Sequence, residues 1–184
     1  MIILRGYFME LTEIIGYIFG GAALITVFFT YQIHEKRKLL TVQTFMIALM
    51  CMHYFFLGAT TGFALNVVCI LRNVALFFKD KSRFIAIVSP AFFACVLLAV
   101  SAFAWEGYFS LLMIVGLVIN TLCVGYLDPQ RIRYSLLLTC TIVIVYDVFA
   151  SSIPGIVFEC VGILSAIIGI IRYNIQKRNL PKKG

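Results

Sequence analysis

The stretch HYFFLGATTGFALNVVCILRNVALFFK, running from His53 to Lys79, decides the fold. Two apolar runs, one ending near Leu57 and the next starting near Gly62, are separated by four small residues, Gly58 to Thr61. A break that short predicts two antiparallel helices joined by a tight turn. The same stretch carries chemistry, because His53, Asn66, Arg72 and Asn73 stand among residues suited to hydrocarbon. Arg72 lies well inside the second run, roughly 10 Å from Lys79 at about 1.5 Å of rise per residue. An ionisable group at that depth costs about 2.5 to 3.5 kcal/mol to insert, which points to a functional or paired residue facing a bundle interior.

Composition agrees with that reading. Hydrophobic residues make up 62% of the 184-residue chain and charged residues 12%, with a mean hydropathy of +1.04. A soluble domain carries about a quarter charged residues, so this is the composition of an integral membrane protein. The net charge of +7 sits in short basic clusters between apolar runs, as in cytoplasmic loops, and implies no nucleic-acid partner. The six cysteines all fall inside apolar runs, with no C-x-x-C pair and no His at ligand spacing. They read as small core residues, and neither a metal nor a cofactor is expected. An enzyme is not expected either, since no nucleophile and base stand at helical spacing and no glycine loop could cradle a phosphate. Arg5 is followed by Glu10 and Glu13, unlike a cleaved signal, so the first run reads as a mature helix, with Met9 an alternative start.

Outward from the central stretch, seven apolar runs are long enough to cross a bilayer. They span Ile14 to Ile33, Leu39 to Leu57, Gly62 to Phe78, Phe84 to Ala104, Gly107 to Leu127, Tyr134 to Ala150, and a last run opened by Pro154 and reaching Arg172. Pro90 is placed to kink the fourth. Gly16 and Gly20 form a G-x-x-x-G pair that suits a homodimer face or, the preferred reading, close packing within the chain. Gly162, Ala166 and Gly169 share a face of the last run and also read as packing. Lys plus Arg in the successive connections and tail number three, none, three, none, two, none and five. By the positive-inside rule the N-terminus is outside and the C-terminus cytoplasmic.

The first three and last three runs share a plan of helix, basic turn, helix, uncharged turn, helix. A shift of 93 positions places Gly62 on Gly155, Ile70 and Leu71 on Ile163 and Leu164, Lys79 on Arg172, and Asn66 on Glu159. A three-helix unit ends opposite its start, so a second copy in the same orientation needs one extra crossing, which the fourth run supplies. The expected fold is therefore all-α, with seven transmembrane helices in a 3+1+3 arrangement. Residues 1–83 hold the N-terminal arm and first unit, 84–106 the linker helix, and 107–184 the second unit and basic tail. Parallel repeats with a site at their interface near the midplane are one known transporter plan.

The segment H-Y-F-F-L-G from His53, Phe28-Phe29, Asn66, Leu71-Arg72, Tyr146-Asp147, the S-I-P-G of Ser152 to Gly155, Glu159 and Ile171-Arg172 resemble the YgjV-type family of bacterial inner-membrane proteins. The resemblance runs from about Gly16 to Arg172 and implies the bacterial cytoplasmic membrane. That family looks like a distant relative of the SWEET and PQ-loop transporters, which implies paired three-helix bundles joined by a linker. Tyr31-Gln32 stands where the first Pro-Gln of those transporters would be, and Pro129-Gln130 falls in a loop. The resemblance therefore does not extend to their proline hinge.

The candidate residues follow from depth and polarity. His53, Asn66, Asn73 and Tyr146 are candidates to bind a small polar solute, and Arg72, Asp147 and Glu159 to form an ion pair or carry a proton. His53 and Asp147 precede the outer turns, while Asn66 and Glu159 follow them, so these four are expected to converge in the outer half of the membrane. The competing reading gives His53 a place in the core, the two Asn interhelical hydrogen bonds, and the charges a structural ion pair. The function expected is a small-solute transporter or facilitator, with proton linkage and facilitated diffusion both open as mechanisms; the alternative is a receptor or scaffold subunit in which the polar residues act as glue.

Overall fold

The computed structural model describes residues 2–78, 83–103, 108, 110–149 and 153–179. Among them are seven helices: α1 (Ile2–Thr30), α2 (Lys36–Phe56), α3 (Thr60–Phe77), α4 (Arg83–Phe103), α5 (Ser110–Tyr126), α6 (Pro129–Phe149) and α7 (Ile153–Asn179). Each overlaps one of the seven apolar runs, although α1 starts at Ile2, α6 starts at Pro129 and α7 continues to Asn179, beyond the expected limits. Four segments, Leu11–Thr30, Lys36–Phe56, Ala86–Phe103 and Gly155–Arg178, are long and apolar enough to cross a membrane, and Gly62–Phe77 and Ile114–Tyr126 are shorter apolar helices. The chain is an all-α membrane protein. Lys79 and Ser152, which belong to the stretches quoted above, lie outside the described residues.

The turn that joins α2 to α3 has a specific local cause. Gly58 adopts φ +70°, its N–H donates to Phe55 O at 3.1 Å, and Ala59 N–H donates to Tyr54 O at 3.0 Å. These two bonds and the left-handed glycine make a Schellman C-cap, which satisfies the last carbonyls of α2 and reverses the chain within four residues. At the other end of the molecule, Asp128 caps α6 by accepting from Arg131 N–H at 2.9 Å, and Pro129 opens the helix. Pro129 and Gln130 thus belong to the first turn of α6, not to a loop as the charge pattern suggests.

The helices pack in a closed ring, each against its neighbours in sequence, with α7 returning to α1. The group α1–α3 therefore meets the group α5–α7 directly at α1 and α7, and through α4 on the other side. Large apolar side chains cover the outside, among them Ile18, Phe29, Phe55, Phe92, Leu138 and Ile171, while Arg72, Asn73, Gln43, Thr121 and Ser165 are buried. That inversion suits a lipid solvent, in which close packing and interhelical hydrogen bonds hold helices together. The glycines act accordingly. A Cβ on Gly20 would stand 2.9 Å from His53 Nδ1, and one on Gly16 3.3 Å from Phe56 Cβ, so the G-x-x-x-G face of α1 is filled by α2 of the same chain. Gly125 of α5 receives the ring of Pro90 from α4. Of the cysteines, all free, Cys51, Cys69 and Cys140 are buried, but Cys95 and Cys160 face outward. An outward thiol is tolerated where the surroundings are hydrocarbon.

Candidate functional site

The ring encloses a cavity of about 150 Å³, lined by side chains from α1, α2, α3, α5, α6 and α7 and by Tyr31 just after α1. Its polar lining consists of Tyr31, Gln43, Asn66, Arg72, Asn120, Thr139, Cys140 and Glu159; Val27, Met46, Ile47, Leu117, Leu136, Val143 and Phe158 supply apolar wall. At about 30 Å³ of liquid volume per water the space holds roughly five waters, and a cavity of this size takes a solute as large as benzene. The lining comes from both three-helix groups and not from α4.

Six pairs of lining residues stand 93 positions apart in the chain: Val27 with Asn120, Gln43 with Leu136, Met46 with Thr139, Ile47 with Cys140, Asn66 with Glu159, and Cys69 with Gly162. The same displacement relates Gly62 to Gly155 at the starts of α3 and α7. Corresponding positions of the two groups thus face one space. Their chemistry differs, however, because Asn120 and Thr139 of the second group oppose Val27 and Met46 of the first, while Gln43 of the first opposes Leu136.

Arg72 is 1% exposed, so its guanidinium must be satisfied from within the protein. Nε and Nη2 donate to Asn73 Oδ1 at 3.1 and 3.0 Å, and Nη1 donates to Thr121 Oγ1 of α5 at 2.8 Å. Asn73 Nδ2 in turn donates to Thr44 Oγ1 of α2 at 3.2 Å. One chain of bonds therefore links α2, α3 and α5. A guanidinium has five N–H groups, so two remain beyond these three bonds. Glu159 of α7 lies beside the Cys140 thiol, and Gln43 beside the Tyr31 hydroxyl. Gln43 Oε1, on a residue 2% exposed, has no hydrogen-bond partner.

Of the residues singled out in the sequence, Asn66, Arg72 and Glu159 line the cavity together. Asn66 Nδ2 donates to Gly62 O at 2.8 Å, one turn back on its own helix. Asn73 is fully buried behind Arg72 and positions it. His53 lies elsewhere, between α1 and α2, with Nδ1 2.7 Å from Gly16 O and its ring against Tyr17 and Tyr54. The side chains of Tyr146 and Asp147 lie outside the described residues. Among the described residues no group of three or more His, Cys, Asp or Glu side chains could hold a metal.

Sequence reasoning missed Gln43, Asn120 and Thr121, and also a second polar structure at the basic end. Arg133, buried in the first turns of α6, donates through Nε to Tyr31 O at 2.6 Å and through Nη2 to Ile33 O at 2.6 Å, at the end of α1. Lys36, the first residue of α2, donates to Gly125 O at 3.3 Å and to Leu127 O, at the end of α5. Each group thus caps a helix C-terminus of the other with a cation, the favourable sign for the helix dipole. Along the adjoining α1–α7 seam Ser165 donates to Phe28 O and Arg172 donates to Gln32 Oε1 at 2.8 Å. His34 Nδ1 lies 3.3 Å from Arg133 Nη2, and its pKa is lowered by burial first and then by Arg133 and Arg172.

Seven apolar-faced helices around a polar interior define a polytopic membrane protein with an intramembrane cavity. The chain belongs to the Imp-YgjV family of bacterial inner membrane proteins, whose family model matches residues 14–177. It is a bacterial inner-membrane protein. No curated protein and no solved structure matches it.

Proposed function

We propose that the protein is a transporter or facilitator that carries a small polar solute through the cavity between its two three-helix groups. The observation that carries this reading is the cavity itself, to which both groups contribute residues at corresponding positions. A space shared by two similar units can open to either side when they rock against each other, which is the alternating-access plan of repeat-built transporters. The N-terminus lies outside and the C-terminus in the cytoplasm, so the caps made by Lys36 and Arg133 close the cytoplasmic end. Glu159 carries a coupled proton. Catalysis plays no part.

The alternative, a receptor or scaffold subunit, draws on Arg72, whose hydrogen bonds to Asn73 and Thr121 tie α3 to α5 as glue would. Counterflow in vesicles containing the purified protein separates the two. Exchange of an entrapped small polar solute above the rate of protein-free vesicles supports transport, and folded protein that exchanges none of a broad panel leaves the scaffold reading. Cysteine placed at Thr60 is expected to react with an impermeant reagent from outside, and at Arg131 only after the membrane is opened; the reverse pattern overturns the orientation.

A further inference from the structure

Resting on the transporter reading, we infer that the solute is a small zwitterion of the amino-acid type with an aliphatic body. Among the described residues the cavity lining carries one cation, Arg72, and one carboxylate, Glu159, so the formal charges of that lining balance and a solute of net charge would leave an uncompensated ion in a low-dielectric space. Arg72 keeps two N–H groups beyond its bonds to Asn73 and Thr121, which suit a carboxylate.

The opposite need is for a donor. Gln43 is one of the lining residues, and its Oε1 has no partner although the residue is 2% exposed. Buried acceptors are almost always satisfied, so an acceptor left open on a cavity wall points to a ligand that brings N–H groups. An ammonium brings three, enough to serve both Gln43 and Glu159. The wall also includes the aliphatic side chains of Val27, Ile47 and Leu136, and a volume of about 150 Å³ suits valine better than a hexose.

The test is binding to the purified, detergent-solubilised protein, followed by counterflow with the same probes. Labelled valine and γ-aminobutyrate are compared with isobutyrate, isobutylamine and glucose. A zwitterion is expected to bind at least about tenfold more tightly than its single-charge analogues, because each analogue brings a net charge into a low-dielectric space. Gln43→Leu is expected to weaken that binding by about tenfold while the unfolding temperature holds or rises, since an apolar group replaces an unsatisfied one. Glucose or isobutyrate binding as well as valine, or no zwitterion binding by folded protein, overturns the inference. Zwitterion binding without counterflow keeps it and removes the transporter reading; glucose counterflow without zwitterion binding does the reverse.

Discussion

Arg72 of α3 reaches across the ring to donate to Thr121 of α5 at 2.8 Å, and both side chains are buried. α3 and α5 are separated by α4 in the ring, so this bond ties together helices that are not ring neighbours. Thr121→Val removes the acceptor without changing shape and leaves a guanidinium N–H unpaired. The expected loss is about 1.5 to 3 kcal/mol, as for hydrogen bonds to charged groups. Denaturant titration of the solubilised protein measures it, and Thr121→Ser is expected to keep most of the stability. Equal stability of the Val and Ser variants would show that the bond contributes nothing.

Two glycines on one face of α7 should respond differently to the same substitution. A Cβ on Gly169 would collide with Tyr31 O and stand 2.8 Å from Arg133 Nε, whereas a Cβ on Gly162 meets only Cys140 Sγ at 3.6 Å, an ordinary contact. Gly169→Ala must push α7 away from the end of α1, with an overpacking cost of about 1 to 3 kcal/mol. Gly162→Ala is expected to be near neutral in the same melt. Comparable losses at both positions would contradict the packing described here.

His34 makes the basic end of the molecule sensitive to acid. Its folded pKa lies below the ordinary value because of burial, Arg133 and Arg172, so the unfolded chain takes up the proton first as pH falls. The contribution is complete above the ordinary His range, about pH 6.5, and is lost as pH drops through the folded value. Melting curves at neutral and mildly acidic pH are expected to show a larger drop for the wild type than for His34→Gln. An equal drop in both would assign the acid sensitivity to other groups.

Helix number, order and approximate limits were legible in the sequence, because a span needs about 20 apolar residues and the connections are short and polar. The 93-residue displacement was legible at Asn66 and Glu159, the two polar members of one pair, and both reach the cavity. Arg133 was not. A cation in a loop and a cation on the first turn of a helix look alike in sequence, and its burial comes from the end of α1, 102 positions away. His53 and Gln43 show a related limit. Both are lone polar residues on α2, and only the close approach of Gly16 and Gly20 turns His53 toward α1 while Gln43 lines the cavity. Apolar periodicity likewise cannot separate a core cysteine such as Cys140 from an outward one such as Cys160, since lipid and core are both hydrocarbon.

Glu159 separates proton coupling from a structural charge. A carboxylate in a low-dielectric bundle is stabilised by a cation or by uptake of a proton. If it carries the coupled proton, Glu159→Gln folds with wild-type yield, keeps exchange and loses accumulation driven by a pH gradient. A fall in folded yield that Arg72→Met restores would instead mark an ion pair, because removing one partner of a buried pair costs more than removing both.

The central claim is that the cavity between the two groups is a pathway, and the most direct measurement is access to one of its residues from each side. Asn66→Cys, in a background whose six native cysteines are replaced by alanine, is exposed to an impermeant maleimide in right-side-out and inverted vesicles. The account predicts reaction from both faces, slowed by a bound solute on either. Reaction from one face only, or from neither, in a protein that remains folded would contradict it.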